Sequence, residues 1–115
     1  MIRKYEEFVK KLQTSTDARK ITWEETSGGN EYQAAIGNNS VSLKYQSPQD
    51  FAITKDDKEG YVSLFLRNSK GDIIDDVKAT AGSLDYSKLY NLYGSARRAS
   101  LKVEETLDEM MKCLE

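Results

Sequence analysis

The first segment of the chain places hydrophobic and charged residues at the spacing of a helix. Its apolar residues fall within about 120° of one another on a helical wheel. They are Ile2, Tyr5, Phe8, Val9 and Leu12. Charged side chains fill most of the opposite side. The pattern predicts an amphipathic helix over residues 2–14, with its apolar face against a core.

From residue 20 the hydrophobic period shortens to two, which is typical of strands with one buried face. The alternating runs span residues 21–24, 32–36, 41–45, 61–67 and 73–77. A further short strand is expected at 51–54, followed by a charged turn at 55–60. Gly and Asn residues separate several of these runs and favour tight turns. Because the connections are short, we expect five or six antiparallel strands paired as a meander.

After Ser83 the apolar residues return to a helical period and keep one register to the end of the chain. The pattern predicts one long helix near 84–114. Gly94 and Ser100 weaken its interior, so a break around 99–102 is the alternative. The fold class is therefore α+β: an N-terminal helix, a five- or six-stranded antiparallel meander and a long C-terminal helix, as one domain over residues 1–115.

This layout resembles small uncharacterised bacterial proteins built as helix, β-meander and helix. The resemblance is carried by the segments Ile21–Trp23, Tyr32–Ile36, Gly71–Ile74, Leu89–Tyr90 and Ala96–Arg98. It covers most of the chain and implies the same fold. No activity comes with it, so it implies no functional residue.

Composition and charge argue against two broad classes of protein. Charged residues make up 31% of the 115, and no stretch approaches the ~18–20 apolar residues of a membrane span. The net charge is -2, and only residues 1–20, at +3, carry a basic excess. A protein that binds nucleic acid through phosphate contacts would show a larger basic surface. We therefore expect a folded domain that binds neither membrane nor nucleic acid.

The chain has one cysteine and no histidine, and both facts limit its chemistry. Cys113 cannot form a disulfide within the chain, and residues 1–7 lack the apolar core of a signal peptide, so we expect a cytoplasmic protein. Without histidine there is no imidazole base, no Ser-His pair and no ordinary zinc site. The sequence therefore predicts a protein that is not an enzyme and holds no metal or cofactor.

Two features point to contact with another protein. Phe65 is a large apolar residue on the otherwise polar face of its predicted strand. A helix of ~30 residues, about 45 Å long, exceeds what a domain of this size needs to cover its own sheet. Its last turns carry Met110, Met111 and Leu114. We interpret these four residues as candidate contacts in a self-associating or accessory protein, with a protein partner or a homodimer.

A second hypothesis assigns a small-molecule or nucleotide site to the C-terminal helix. Tyr86, Tyr90 and Tyr93 form an aromatic stripe with Arg97 one turn further on. Tyrosine rings can stack on a base, and a guanidinium can bind phosphate or carboxylate. The alternative is that the rings simply pack against the sheet, with their hydroxyls at the surface.

Overall fold

Helices stand at both ends of the chain, and a sheet lies between them. The computed structural model describes residues 1–26, 28–51 and 53–115. In chain order its elements are α1 (Arg3–Asp17), β1 (Trp23–Glu25), β2 (Glu31–Ile36), β3 (Asn39–Gln46), α2 (Lys55–Glu59), β4 (Tyr61–Arg67), β5 (Ile73–Thr80), α3 (Tyr86–Ser100) and α4 (Val103–Cys113). The predicted α+β class is confirmed.

The sheet is a five-stranded meander in which every strand pairs antiparallel with its neighbour along the chain. Alternate residues point to one face and build the core, as a period of two requires. The buried residues of this inner face are Trp23, Tyr32, Ala34, Val41, Leu43, Val62, Leu64 and Ala79. The predicted meander is confirmed, with five strands.

Two helices complete the core on the inner face of the sheet. From α1 come Val9 and Leu12, and from α3 come Leu89, Leu92 and Ala96. All five side chains are buried. The two helices also contact each other along their length, and α3 contacts every strand. The opposite face, called the outer face below, is not covered by α1 or α3.

The strand expected at 51–54 is not part of the sheet. Phe51 lies in a turn, Ile53 and Thr54 lie in a bend, and Ala52 lies outside the described residues. β3 and β4 pair directly with each other, from Ser40 opposite Arg67 to Gln46 opposite Tyr61, so no room remains between them for another strand. The apolar side chains of Phe51 and Ile53 consequently face solvent.

The charged segment expected to be a turn at 55–60 is instead the short helix α2. The Thr54 hydroxyl accepts a hydrogen bond from the Asp57 N–H at 3.2 Å and caps the helix start. Gly60 ends the helix, and its N–H donates to the Asp56 carbonyl at 2.9 Å.

The single helix expected near 84–114 is wrong, and the alternative break at 99–102 is present. α3 ends at Ser100 and α4 begins at Val103. Between them Lys102 adopts a left-handed backbone with φ 54°, a conformation that no helix interior accommodates. The Leu101 N–H still donates to the Arg97 carbonyl at 2.9 Å, so the helix closes normally before it turns.

Candidate functional site

α4 carries a row of apolar side chains that is largely exposed, with only Val103 at its start half-buried. We call this row the α4 strip; it consists of Val103, Leu107, Met110, Met111 and Leu114. Met110, Met111 and Leu114 are 59%, 56% and 86% exposed. No residue of α4 is buried. The structure thus places three of the four predicted contact residues together on one exposed helix face.

The other side of α4 is acidic. Between Val103 and Cys113 there are four carboxylates and only Lys112 as a base, which gives a net charge of -3. The carboxylates of Glu105, Asp108 and Glu109 lie about 100° or more from the centre of the strip. Two ion pairs tie α4 to the domain. Arg98 binds Glu104 at 2.8 Å, and Arg19 binds Glu105 at 3.8 Å.

Phe65, the fourth predicted contact residue, lies elsewhere. It is half-buried on the outer face, directly opposite Ser42 on β3 and Asp76 on β5. Its surroundings on this face are polar, since Arg67 donates to the Ser42 hydroxyl at 3.3 Å and pairs with Glu31 at 3.8 Å. A polar outer face is ordinary for an antiparallel sheet with one side in water. The structure does not bring Phe65 to the α4 strip.

The tyrosines of α3 meet two further tyrosines from the inner face of the sheet. The ring centroids of Tyr86 and Tyr90 are 5.4 Å apart and stacked. Tyr45 lies 5.6 Å from Tyr90 and 5.5 Å from Tyr93, and Tyr32 lies 5.6 Å from Tyr93. These separations are typical of packed aromatic pairs. Tyr32 and Tyr45 were missed as members of this cluster, although their alternation places them on the inner face.

Most of this aromatic surface is therefore engaged within the chain. Tyr93 is 7% exposed, and its burial raises the pKa of its hydroxyl, with Tyr32 adding to the effect and Arg97 opposing it. Burial and the neighbouring Tyr45 and Tyr90 likewise raise the pKa of Tyr86. Arg97 itself is exposed. Tyr93 and Tyr86 thus pack against the core, whereas Tyr90 is 43% exposed.

A cleft lies between the start of α1 and the sheet, where no sequence pattern predicted one. It measures about 540 Å³. Its apolar walls include Ile2, Tyr5, Phe8, Ile36, Leu66 and Ile74. At its edge the Tyr5 hydroxyl donates a hydrogen bond to the Asp75 carboxylate. The exposed isoleucines at its mouth come from α1, β2 and β5, which are distant in sequence, so no local pattern could have revealed them.

The hydrogen bond between Tyr5 and Asp75 makes a pH dependence testable. Burial, and then this bond, raise the pKa of the Tyr5 hydroxyl to about 12, whereas an unfolded tyrosine titrates near ~10. The stability linked to the protonated hydroxyl is thus present below pH ~10 and lost as the pH rises through about 12. In an absorbance titration of tyrosinate, we expect Tyr5→Phe to remove a component near pH 12.

Asp75→Asn is the matched variant for this titration, because it keeps the Tyr5 hydroxyl and removes the negative charge of the carboxylate that accepts its hydrogen bond. We expect it to move the same component to lower pH. An unchanged high-pH component in Tyr5→Phe would contradict the assignment.

The part of the chain that the structure describes holds neither a membrane-spanning helix nor a cluster of metal-ligating side chains. Across residues 1–26, 28–51 and 53–115, no helix has the length and apolar character needed to cross a bilayer. Within the same ranges, no three Cys, Asp or Glu side chains come together as a group that could hold a metal ion.

Comparison of the chain with protein-family models, curated proteins and solved structures finds no match in any of the three. Its function must therefore be inferred from its own residues.

Proposed function

We propose that this chain is a non-enzymatic interaction protein that self-associates, with the α4 strip of one copy packed against the α4 strip of a second. The observation that carries the proposal is the exposed row of Leu107, Met110, Met111 and Leu114 on a helix without a buried residue. Contiguous apolar surface of this kind usually marks a contact site. The single free Cys113 fits a reducing compartment such as the cytoplasm.

The spacing of the strip favours another helix as its occupant. Val103, Leu107, Met110 and Leu114 are separated by four, three and four residues, the a/d spacing by which two helices interlock. Met111 widens the row, and methionine adapts readily to an irregular partner surface. A second α4 offers the same spacing, so the strip is complementary to itself.

Charge does not prevent two α4 helices from meeting. Thr106 and Cys113, which border the strip on one side, are uncharged. On the other side Glu104 is held by Arg98 at 2.8 Å. The remaining carboxylates lie on the far side of the helix. Because each α4 still carries a net charge of -3, added salt should screen the repulsion and strengthen the association.

The contact is expected to be weak. α4 has 11 residues and is therefore roughly 16 Å long at 1.5 Å per residue. One pair of helices this short buries less than the ~1,200 Å² of a stable protein interface. Association should therefore depend on concentration in the micromolar to millimolar range.

The test is the average mass in sedimentation equilibrium across a series of concentrations. We expect Met111→Asp to lower the mass at every concentration, because it places a charge within the strip. Ser87→Asp on α3 is the matched control, since it introduces the same residue and the same change of charge at an exposed position outside the strip. If the Met111→Asp curve coincides with that of the unsubstituted chain, or if both variants dissociate equally, α4 does not make the contact.

A further inference from the structure

β5 is the last strand of the sheet, and the edge that it turns away from β4 pairs with no other strand of the described residues. Of the strands in the described residues, only β4 pairs with it. The Ala81 N–H donates to the Gly60 carbonyl at 3.1 Å, which fixes which residues of the ladder are hydrogen-bonded. Because such pairs alternate in an antiparallel ladder, the backbone groups of Val77 and Ala79 face β4. Those of Asp76 and Lys78 consequently face the open edge.

We propose that β5 pairs antiparallel with β5 of a second copy about a two-fold axis at Val77. In this register Asp76 of each copy lies opposite Lys78 of the other, and Val77 lies opposite Val77. The two Asp76 and Lys78 pairs are the hydrogen-bonded pairs, because their backbone groups are the outward ones. Val77 then occupies a non-hydrogen-bonded pair at the axis, as the alternation of the ladder requires.

The charges on this edge select that register. Asp76 and Lys78 point to the outer face, where they lie opposite Phe65 and Ser63 on β4. Opposite charges directly across a pair of strands stabilise it, and like charges destabilise it. A shift of the two-fold axis by one residue in either direction would place Asp76 opposite Asp76 or Lys78 opposite Lys78. Only the register centred on Val77 places each Asp76 opposite a Lys78 of the other copy.

The inner face permits the same pairing. Asp75 would lie opposite Ala79 of the second copy, and its carboxylate already accepts the hydrogen bond from Tyr5. On the outer face, Lys78 pairs with Asp56 at 3.5 Å and lies over the Tyr61 ring at 4.3 Å. Its ammonium therefore lies over β4 of its own copy and must turn toward the open edge to meet Asp76 of the second copy. Charged residues on edge strands often prevent pairing. Here they are complementary about a two-fold axis, which favours one partner, a second copy.

This contact is distinct from the one proposed for α4 and does not depend on it. α4 is tied to Arg19, which follows α1 and lies shortly before β1, whereas β5 forms the opposite edge of the sheet. Two different two-fold contacts on one chain assemble more than two copies. Substitution at either contact should therefore leave dimers held by the other.

Disulfide trapping tests the position of the axis. In a Cys113→Ser background we expect Val77→Cys to form a disulfide-linked dimer on mild oxidation, because Cα atoms in a non-hydrogen-bonded pair are about 4.5 Å apart, within disulfide reach. The matched control is Ile73→Cys on the same strand, whose two copies would be about 26 Å apart. Equal trapping at both positions, or none at Val77→Cys, would overturn the proposal.

Charge exchange tests the register and also separates the two contacts. In a Met111→Asp background, where only β5 should associate, we expect Asp76→Lys to reduce the mass to that of a monomer. Adding Lys78→Glu should restore the dimer, because it recreates opposite charges with their positions exchanged. A mass that Asp76→Lys leaves unchanged, or that the double exchange fails to restore, contradicts the β5 pairing without affecting the α4 proposal.

Discussion

Replacement of Trp23 by alanine is expected to lower the free energy of unfolding by about 3–5 kcal/mol. The Trp23 side chain is 3% exposed and fills the core where β1 packs against α3 and the last turn of α1. Its Nε1–H donates to the Thr16 hydroxyl at 3.0 Å, and Thr16 is itself buried. Alanine would leave a cavity and an unpaired hydroxyl at the same point. Urea denaturation followed by circular dichroism measures the loss.

Trp23→Phe separates the two contributions. It keeps an aromatic ring in the core but removes the N–H that donates a hydrogen bond to the Thr16 hydroxyl. We expect this variant to lose about 1–3 kcal/mol, the cost of a buried polar group left without its partner together with a smaller ring. If the free energy of unfolding of Trp23→Ala lies within ~1 kcal/mol of that of the unsubstituted chain, Trp23 does not pack in the core as described.

Gly60→Ala is expected to be comparably damaging for a different reason. Gly60 joins α2 to β4 with φ 83° and ψ 157°, a backbone region almost confined to glycine. A Cβ at this position would lie 2.9 Å from the Gln46 carbonyl oxygen and 3.0 Å from Pro48 Cδ. Backbone strain of ~1–3 kcal/mol and overpacking of ~1–3 kcal/mol together give a loss of roughly 2–6 kcal/mol.

Gly71→Ala is the control for that loss, because Gly71 also has a positive φ, of 86°, but no heavy atom within 4 Å of a Cβ placed there. We expect it to cost only the backbone strain, about 1–2 kcal/mol. Thermal or urea unfolding of the two variants side by side measures the difference. Equal losses would mean that the segment before α2 does not approach Gly60 as closely as described.

Much of the fold could be predicted because a strand with one buried face shows an alternation of apolar and polar residues in its own sequence. Val62, Leu64 and Leu66 recur at every second position, and this period marked β4 correctly from Tyr61 to Arg67. The segment at 51–54 has a similar apolar character, yet β3 and β4 pair directly and exclude it from the sheet. Whether a segment joins the sheet depends on which strands pair beside it. A local sequence pattern carries no information about that pairing.

The break between α3 and α4 illustrates a second limit. The apolar residues keep one register across residues 99–102, since Ala96 and Val103 are seven residues apart, or about two helical turns. The left-handed backbone falls on Lys102, a residue without the glycine signal that usually marks such a position. The sequence could therefore suggest a break but not decide it.

The candidate surfaces were predictable to different degrees. Exposure of Met110, Met111 and Leu114 followed from a C-terminal region longer than the sheet requires. The meeting of Tyr45 with Tyr90 and Tyr93 did not, because the position of a helix along a sheet is a long-range property. That β5 lies at an edge follows from any meander, but identifying Asp76 and Lys78 as its outward residues requires the register with β4.

The most direct test of self-association is sedimentation equilibrium of the unsubstituted chain from micromolar to millimolar concentration. We expect an average mass that rises with concentration above the 13.1 kDa of one copy. A mass that stays at 13.1 kDa throughout the range, at low and high salt alike, would contradict both proposed contacts.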